Sequence, residues 1–216
     1  LLKKNNITVV EGHGEIENPG EVLVRTVDGG MQTLSTRNVV LATGAHPTVI
    51  PGMEPDGEKI LDYEDAILLQ ELPKSAVIIG AGAVGVEFAT VWSAYGVEVH
   101  IVEMLPHILP AEDDEAAAEL SKAFRKRGVK IHAGTKVQSV QKTENGVEVQ
   151  IAVEKGEATL TAETVLVAVG FKPNSSNIGL EKVGVAVDPR GFVQIDERMA
   201  TNIPGIWAIG DVTGKL

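Results

Sequence analysis

The chain has 216 residues, enough to bury a substantial core in one large domain or two small ones. Its 19 basic and 30 acidic residues leave a formal charge of −11, which argues against polyanionic partners such as nucleic acid or acidic membrane surfaces. It contains no cysteine, which excludes disulfides, thiolate metal sites and a redox or nucleophilic cysteine within these residues.

The first residues, Leu1 to Gly12, lack the long apolar stretch of a signal peptide, and no methionine precedes Met31; a start inside a longer, cytoplasmic chain is expected. No apolar run reaches the ~20 residues that a membrane helix needs. Short strands are predicted at Ile7–Val10, Glu21–Val27 and Met31–Ser35, with Asp28-Gly29-Gly30 as a turn, and Val39–Leu41 leads into Ala42-Thr43-Gly44. Pro47, Pro51, Gly52, Pro55 and Gly57 then mark a connector.

Residues 76–103 carry the densest signal. The apolar run Ala76–Ile79 reads as a buried parallel strand ending at Gly80, the first glycine of Gly80-x-Gly82-x-x-Gly85. Gly80 opens a tight turn, Gly82 lets a diphosphate approach the main chain, and Gly85 lets the next helix pack closely on its strand. Val84, Phe88, Val91, Trp92 and Tyr95 recur at helical spacing, and Gly96 stops that helix before a second strand, Val97–Val102. Glu103 closes the unit a little beyond the ~20 positions at which a carboxylate accepts from the adenosine ribose. The resulting picture is a diphosphate over bare amides near Ala81 and Ala83 at a helix start. Glu103 would repel a 2′ phosphate, and Met104-Leu105-Pro106-His107 offers no arginine to bind one, so NAD is expected rather than NADP.

Downstream, Glu112-Asp113-Asp114-Glu115 precedes the helical pattern Ala116, Leu120, Phe124 and the basic Lys122, Arg125, Lys126 and Arg127 before Gly128; it reads as a helix start, not a metal site. A short strand Val129–His132 follows, then Lys136–Thr143 and Val147–Val153 across the hairpin signal Glu144-Asn145-Gly146, and Ala158–Thr161 as a third antiparallel strand. Thr164–Val169 is another buried run, ending at Gly170. His13, His46, His100, His107 and His132 lack ligand spacing, and no metal is expected. The predicted class is α/β, a Rossmann-like doubly wound parallel sheet with an antiparallel β-meander.

An ordered series of motifs resembles the FAD-dependent pyridine nucleotide-disulfide oxidoreductase family, and within it most closely the dihydrolipoyl dehydrogenases. It runs Val10-Glu11-Gly12-His13-Gly14, Leu41-Ala42-Thr43-Gly44-Ala45, Ile50-Pro51-Gly52, Gly80 to Glu87, Val102-Glu103, Ile108-Leu109-Pro110, Val169 to Asn174, and Ile206-Trp207-Ala208-Ile209-Gly210-Asp211. The resemblance implies an NAD domain inserted in a partial FAD domain: residues 1–48 trailing FAD domain, 49–174 NAD domain, 175–216 return to the FAD domain. It implies NAD contacts at Gly80, Ala81, Gly82, Ala83, Val84, Gly85, Val86, Glu87 and Glu103, with Glu87 toward the nicotinamide, and at Val137 and Gly170. An acid in the first helical turn, as Glu87 is expected to be, also favours the dipole without touching a ligand, and Val137 reads equally well as a core strand residue. FAD contacts are implied at Gly14, Thr43, Gly44, Ala45 and Asp211.

The family's redox-active Cys-x4-Cys, its first FAD fingerprint and its His–Glu pair do not occur in this sequence. The chain alone is therefore expected neither to hold FAD tightly nor to oxidise dihydrolipoamide, and it contains no catalytic residue of its own. The parent is expected to be a homodimer that serves the lipoyl domain of a 2-oxoacid dehydrogenase complex, with NAD(H) as its small-molecule partner. Mercuric reductase, soluble transhydrogenase and NADH oxidase share these motifs. Glutathione reductase would want basic residues near Glu103, and low-molecular-weight thioredoxin reductase a Cys-x-x-Cys. A noncatalytic nucleotide-binding module stands as the alternative of a different class, and a plain Rossmann dehydrogenase leaves Ala42-Thr43-Gly44 and Gly210-Asp211 unexplained.

Overall fold

Along the buried run Ser75–Ile79 each residue faces the opposite side of the sheet from its neighbour, and in the computed structural model the two sides are covered by different kinds of element. The structure describes residues 1–153 and 156–215. It divides into two units, Leu1–His46 with Phe171–Leu216, and Pro47–Gly170; the sequence reading puts the crossings after Thr48 and Asn174.

In the first unit β1 (Gly12–Asn18), β2 (Glu21–Thr26) and β3 (Met31–Ser35) form an antiparallel sheet in that order. The strand expected at Ile7–Val10 does not form: those residues lie outside any strand, with Ile7 and Val9 exposed. Its place in the pairing is taken by β1, which sequence reading missed because Ile16 is its only buried residue. Pairing partners such as Gly14↔Val24 and Ile16↔Val22, not alternation, define this strand. β4 (Val39–Leu41) and β5 (Ala45–Pro47) follow.

The second unit contains β6 (Ile60–Leu61), α1 (Tyr63–Leu68), β7 (Ser75–Ile79), α2 (Ala83–Ala94), β8 (Glu98–Val102), α3 (Asp114–Lys126), β9 (Lys130–His132), β10 (Val137–Thr143), β11 (Gly146–Val153), β12 (Gly156–Ala162) and β13 (Thr164–Val167). The parallel sheet has the order β6-β13-β7-β8-β9, and β10-β11-β12 form the meander. Ala76 and Ile78 join Ala89 and Trp92 of α2 and Phe124 of α3 in one core cluster, whereas Val77 and Ile79 join Val140, Val149 and Ile151 of the meander in another. Helices thus cover one face and the meander the other. The Asp113 carboxylate caps α3 by accepting from the amides of Glu115 and Ala116, as its acidic start predicts. The strand β6 and the helix α1, capped reciprocally by Asp62 and Asp65, follow the predicted connector in a stretch for which the sequence reading gave no element.

The stripe expected on α2 is displaced. Gly85, Val86, Ala89 and Trp92 are its buried residues, while Val91 and Tyr95 are 50% and 75% exposed. The reason is proximity: a Cβ built on Gly85 would stand 2.1 Å from the Gly80 carbonyl oxygen and 3.4 Å from Ile78 Cγ2. So close a contact admits no side chain at Gly85, and the buried row Gly85, Val86, Ala89 and Trp92 carries its bulk only farther along the helix, while Val91 and Tyr95 turn outward.

The chain then returns to the first unit through β14 (Phe171–Pro173), α4 (Leu180–Val183) and β15 (Ile206–Ala208), which pairs in parallel with β4. Ile16, Leu41, Ile178, Leu180, Ile206, Ala208 and Val212 build this unit's core.

On β8 and β9, His100 Nδ1 and His132 Nε2 lie 3.2 Å apart. Their ring centroids are 5.4 Å apart with planes 11° from parallel. That separation is close to the N···N distance plus a ring radius at each end, so the rings meet edge to edge rather than face to face. Burial, then the nearby Lys130 and, for His100, its histidine partner, hold both imidazoles below their ordinary pKa, with Glu98 opposing at His100. The folded chain therefore binds their protons later than the unfolded chain. As pH falls through the unfolded value of about 6.5 toward the lower folded values, stability is lost.

Unfolding free energy is expected to decline as pH falls below about 6.5, and the double variant His100→Asn, His132→Gln to flatten that slope in denaturant titrations; an unchanged slope would remove the pair as its source. Gly85→Ala should lower the unfolding free energy by about 1–3 kcal/mol through overpacking against backbone. A denaturation midpoint equal to that of the parent chain would contradict the close approach.

Candidate dinucleotide site

The three glycines of the fingerprint stand in different physical circumstances. Gly80 has φ +99°, and a Cβ there would meet the Ala168 carbonyl oxygen at 2.4 Å; Gly85 is pressed against the Gly80 carbonyl. Both are required by the fold. Gly82 has φ −72°, which any residue adopts, and nothing lies within 4 Å of where its Cβ would be. The fold does not ask for glycine there.

Gly82 is also the N-cap of α2, and no side chain caps this helix, whereas Asp62 and Asp113 cap α1 and α3. An uncapped helix start leaves amides and the positive end of the dipole for an anion. Ala83 is exposed beside it, and Val84 is half-buried.

Glu103 follows β8 and is buried, 8% exposed. Its Oε2 accepts from the Ala81 N–H at 2.8 Å and its Oε1 from the Leu105 N–H at 2.8 Å. Its own N–H donates to the His132 carbonyl, and its carbonyl accepts from the Thr135 N–H. Each carboxylate oxygen keeps a second acceptor position. This arrangement corrects one expectation: the Ala81 amide is not bare, because Glu103 covers it and Ala81 is fully buried.

The remaining predicted residues lie on several elements of this unit. Gly170, with φ +107°, follows β13, and its carbonyl accepts from the Thr48 N–H. β13 and β8 flank β7, so the strand order reverses beside the glycine turn, where open α/β sheets form their crevice. Val137 begins β10 and packs partly buried on the meander-side core. Val86 is buried in the helix-side core with its amide bonded to Gly82. Glu87 is exposed but one turn farther along α2 than expected, since the first turn holds no acid. The helix starts at Ala83, so Glu87 does not act on the dipole as a first-turn residue.

In the other unit, β4 and β15 run side by side, with the Ile209 N–H donating to the Leu41 carbonyl. Thr43 and Gly44 thus leave one strand end, and Gly210 and Asp211 the adjacent one. Thr43 and Asp211 are exposed, and Gly44 (φ +69°) and Gly210 (φ +73°) face open space. Asn174, quoted in a motif by sequence reading but given no role there, fixes this loop. Its N–H donates to the Gly44 carbonyl, its Nδ2 to the Thr43 carbonyl, and its Oδ1 faces His46 Nδ1 at 2.6 Å. Because the Thr43 carbonyl can only accept, the amide orientation is set and His46 Nδ1 must be the donor. Ala45 opens β5, and Gly14 lies exposed in β1. Among the described residues, no group of three or more His, Asp or Glu side chains is placed to hold a metal ion, and no helix is long and apolar enough to cross a membrane.

The sequence model of the pyridine nucleotide-disulphide oxidoreductase family matches residues 1–216. The dihydrolipoyl dehydrogenase of Chlorobaculum tepidum is 42% identical over all of this chain and 46% of its own length. That of Mycobacterium leprae is 45% identical over all of this chain and 47% of its own. Among solved structures, LpdA of Mycobacterium tuberculosis is 33% identical with a TM-score of 0.86 over 97% of this chain and 46% of that one. A Cu(II) complex of the HOCl-induced flavoprotein disulfide reductase RclA of Escherichia coli is 33% identical with a TM-score of 0.85 over all of this chain and 48% of that one. The chain spans a little under half the length of these relatives.

Glu103→Ala leaves the buried Ala81 N–H without an acceptor and is expected to cost about 1–3 kcal/mol of stability in the absence of any ligand. Glu103→Gln should cost less, since its amide oxygen keeps one of the two bonds. Equal denaturation midpoints for the alanine variant and the parent would disprove the double role of this side chain.

Proposed function

Since the chain belongs to the pyridine nucleotide-disulphide oxidoreductase family, we propose that Pro47–Gly170 binds NAD(H) as the dinucleotide domain of a flavoprotein that oxidises dihydrolipoamide. Gly82 carries the reading. It is the one glycine of the fingerprint that the fold does not require, and it starts a helix without a side-chain cap, whereas Asp62 and Asp113 cap α1 and α3.

In this reading the main chain from Gly82 through Gly85 receives the diphosphate, and the Glu103 oxygens accept from the ribose hydroxyls with their spare lone pairs. Gly80, Ala81 and Val86 serve as scaffold beneath it. Glu87, Val137 and Gly170 border the nicotinamide half. NAD, when bound, supplies the hydride acceptor; the residues of this chain orient it and keep its charged groups satisfied. Glu103 also disfavours NADP, because a 2′ phosphate would have to approach a fixed carboxylate.

The ends of β4 and β15 fit FAD in the same terms. Open glycine positions at Gly44 and Gly210 permit close approach, and the exposed Thr43 and Asp211 offer a hydroxyl and a carboxylate to sugar and ribityl hydroxyls. Ala45 and Gly14 complete the FAD contacts in this reading. The net reaction converts dihydrolipoamide and NAD+ to lipoamide, NADH and one proton: a dithiol loses two electrons and two protons, and one hydride is gained. The lipoyl domain of a 2-oxoacid dehydrogenase complex is the protein partner in this reading, with a homodimeric, cytoplasmic enzyme as its setting. The relatives named dihydrolipoyl dehydrogenase support that choice of substrate.

Calorimetric titration of the chain is expected to show NADH binding, with NADPH at least about tenfold weaker, a difference of ~1.4 kcal/mol. Gly82→Val should abolish NADH binding while the melting midpoint stays near that of the parent. A valine variant that binds NADH normally would refute the placement of the diphosphate.

A further inference from the structure

We infer that Leu109 is a positioning residue of the dinucleotide site, whose main chain aims the Gly82 amide by holding the Ala81 carbonyl; this rests on reading the turn as the NAD site. Leu109 has φ +50°. The other described non-glycine residues with positive φ are Asn6, Asn177 and Met199, and the two asparagines are of a type that tolerates the left-handed region. A leucine held there needs compensation from its surroundings.

The compensation is visible on every side. The Leu109 N–H donates to the Ala81 carbonyl at 2.8 Å, and the Leu109 carbonyl accepts from the Glu112 N–H at 3.0 Å. Ile108 is fully buried in the helix-side core, against which Leu109 also packs. His107 ties the loop to the first turn of α3, with Nε2 3.3 Å from an Asp114 carboxylate oxygen. The motif Ile108-Leu109-Pro110 thus folds into an anchored turn that bonds to the glycine turn through the Leu109 N–H.

What that bond accomplishes follows from the planarity of the peptide group. The Ala81 carbonyl and the Gly82 N–H belong to one rigid trans unit and point in opposite directions. Drawing the carbonyl toward Leu109 therefore turns the Gly82 N–H away from that loop. On the preceding peptide, Glu103 holds the Ala81 N–H. Both peptide planes that meet at Ala81 are therefore fixed before any ligand arrives, which lowers the ordering cost of binding.

Two substitutions separate main chain from side chain. Leu109→Val keeps an apolar residue but resists positive φ, and should weaken NADH binding about tenfold. Leu109→Gly adopts positive φ freely and should stay within about threefold of the parent. Melting midpoints and circular dichroism verify that both variants fold. If Leu109→Val binds as the parent does, or if the glycine variant is as weak as the valine one, the inference is overturned. Failure of the parent chain itself to bind NADH would instead bring down the reading of the site. Hydrogen exchange gives a check that needs no variant: the Leu109 amide should exchange slowly before NADH is added, and rapid exchange there overturns the inference.

Discussion

The parallel-sheet unit depends on one steric constraint, the contact of α2 with the end of β7. With Gly85 against the Gly80 carbonyl, the helix is brought so near its strand that its first residues overlie the strand end rather than standing off from it. No side chain is admitted at Gly85, the bulk of Trp92 is carried farther along the helix, and the helix start is left at the crevice. A larger side chain at either glycine would separate helix from strand and move the amides away from the crevice.

Around that contact, polar groups are satisfied in a way that leaves capacity unspent. Glu103 accepts two amides, and four lone-pair sites on two oxygens leave room for two more donors. Ala81 has both its polar groups occupied, whereas no side chain caps the helix beginning after Gly82. Supporting bonds and an uncapped helix start lie on consecutive residues of one short turn.

Most of this was legible in the sequence because the unit is built from local signals: a β-branched run, three glycines at fixed spacing, a helical period and a strand-end acid. The meander was legible for the same reason, from the hairpin signal Glu144-Asn145-Gly146. What escaped depended on distant partners. Strand β1 is defined by pairing with β2 rather than by its own pattern, and Asn174 gains its role by meeting Thr43 and Gly44 more than a hundred positions earlier. The apolar stripe of α2 was misjudged because large residues at helical spacing, Tyr95 among them, drew the reading, while the distance between helix and sheet favours Ala89. No composition rule reports that distance.

The strand order of the parallel sheet has a kinetic corollary. β7 acquires β8 across a single helix, but its other neighbour, β13, comes some ninety residues later, after α3 and the whole meander have been made. Closing that long loop carries an entropic charge that is met only when the last strand slots in. During synthesis from the amino terminus, the crevice beside Gly80 thus stays one-walled until the meander and β13 have left the ribosome, and its second wall is among the last parts of the sheet to assemble.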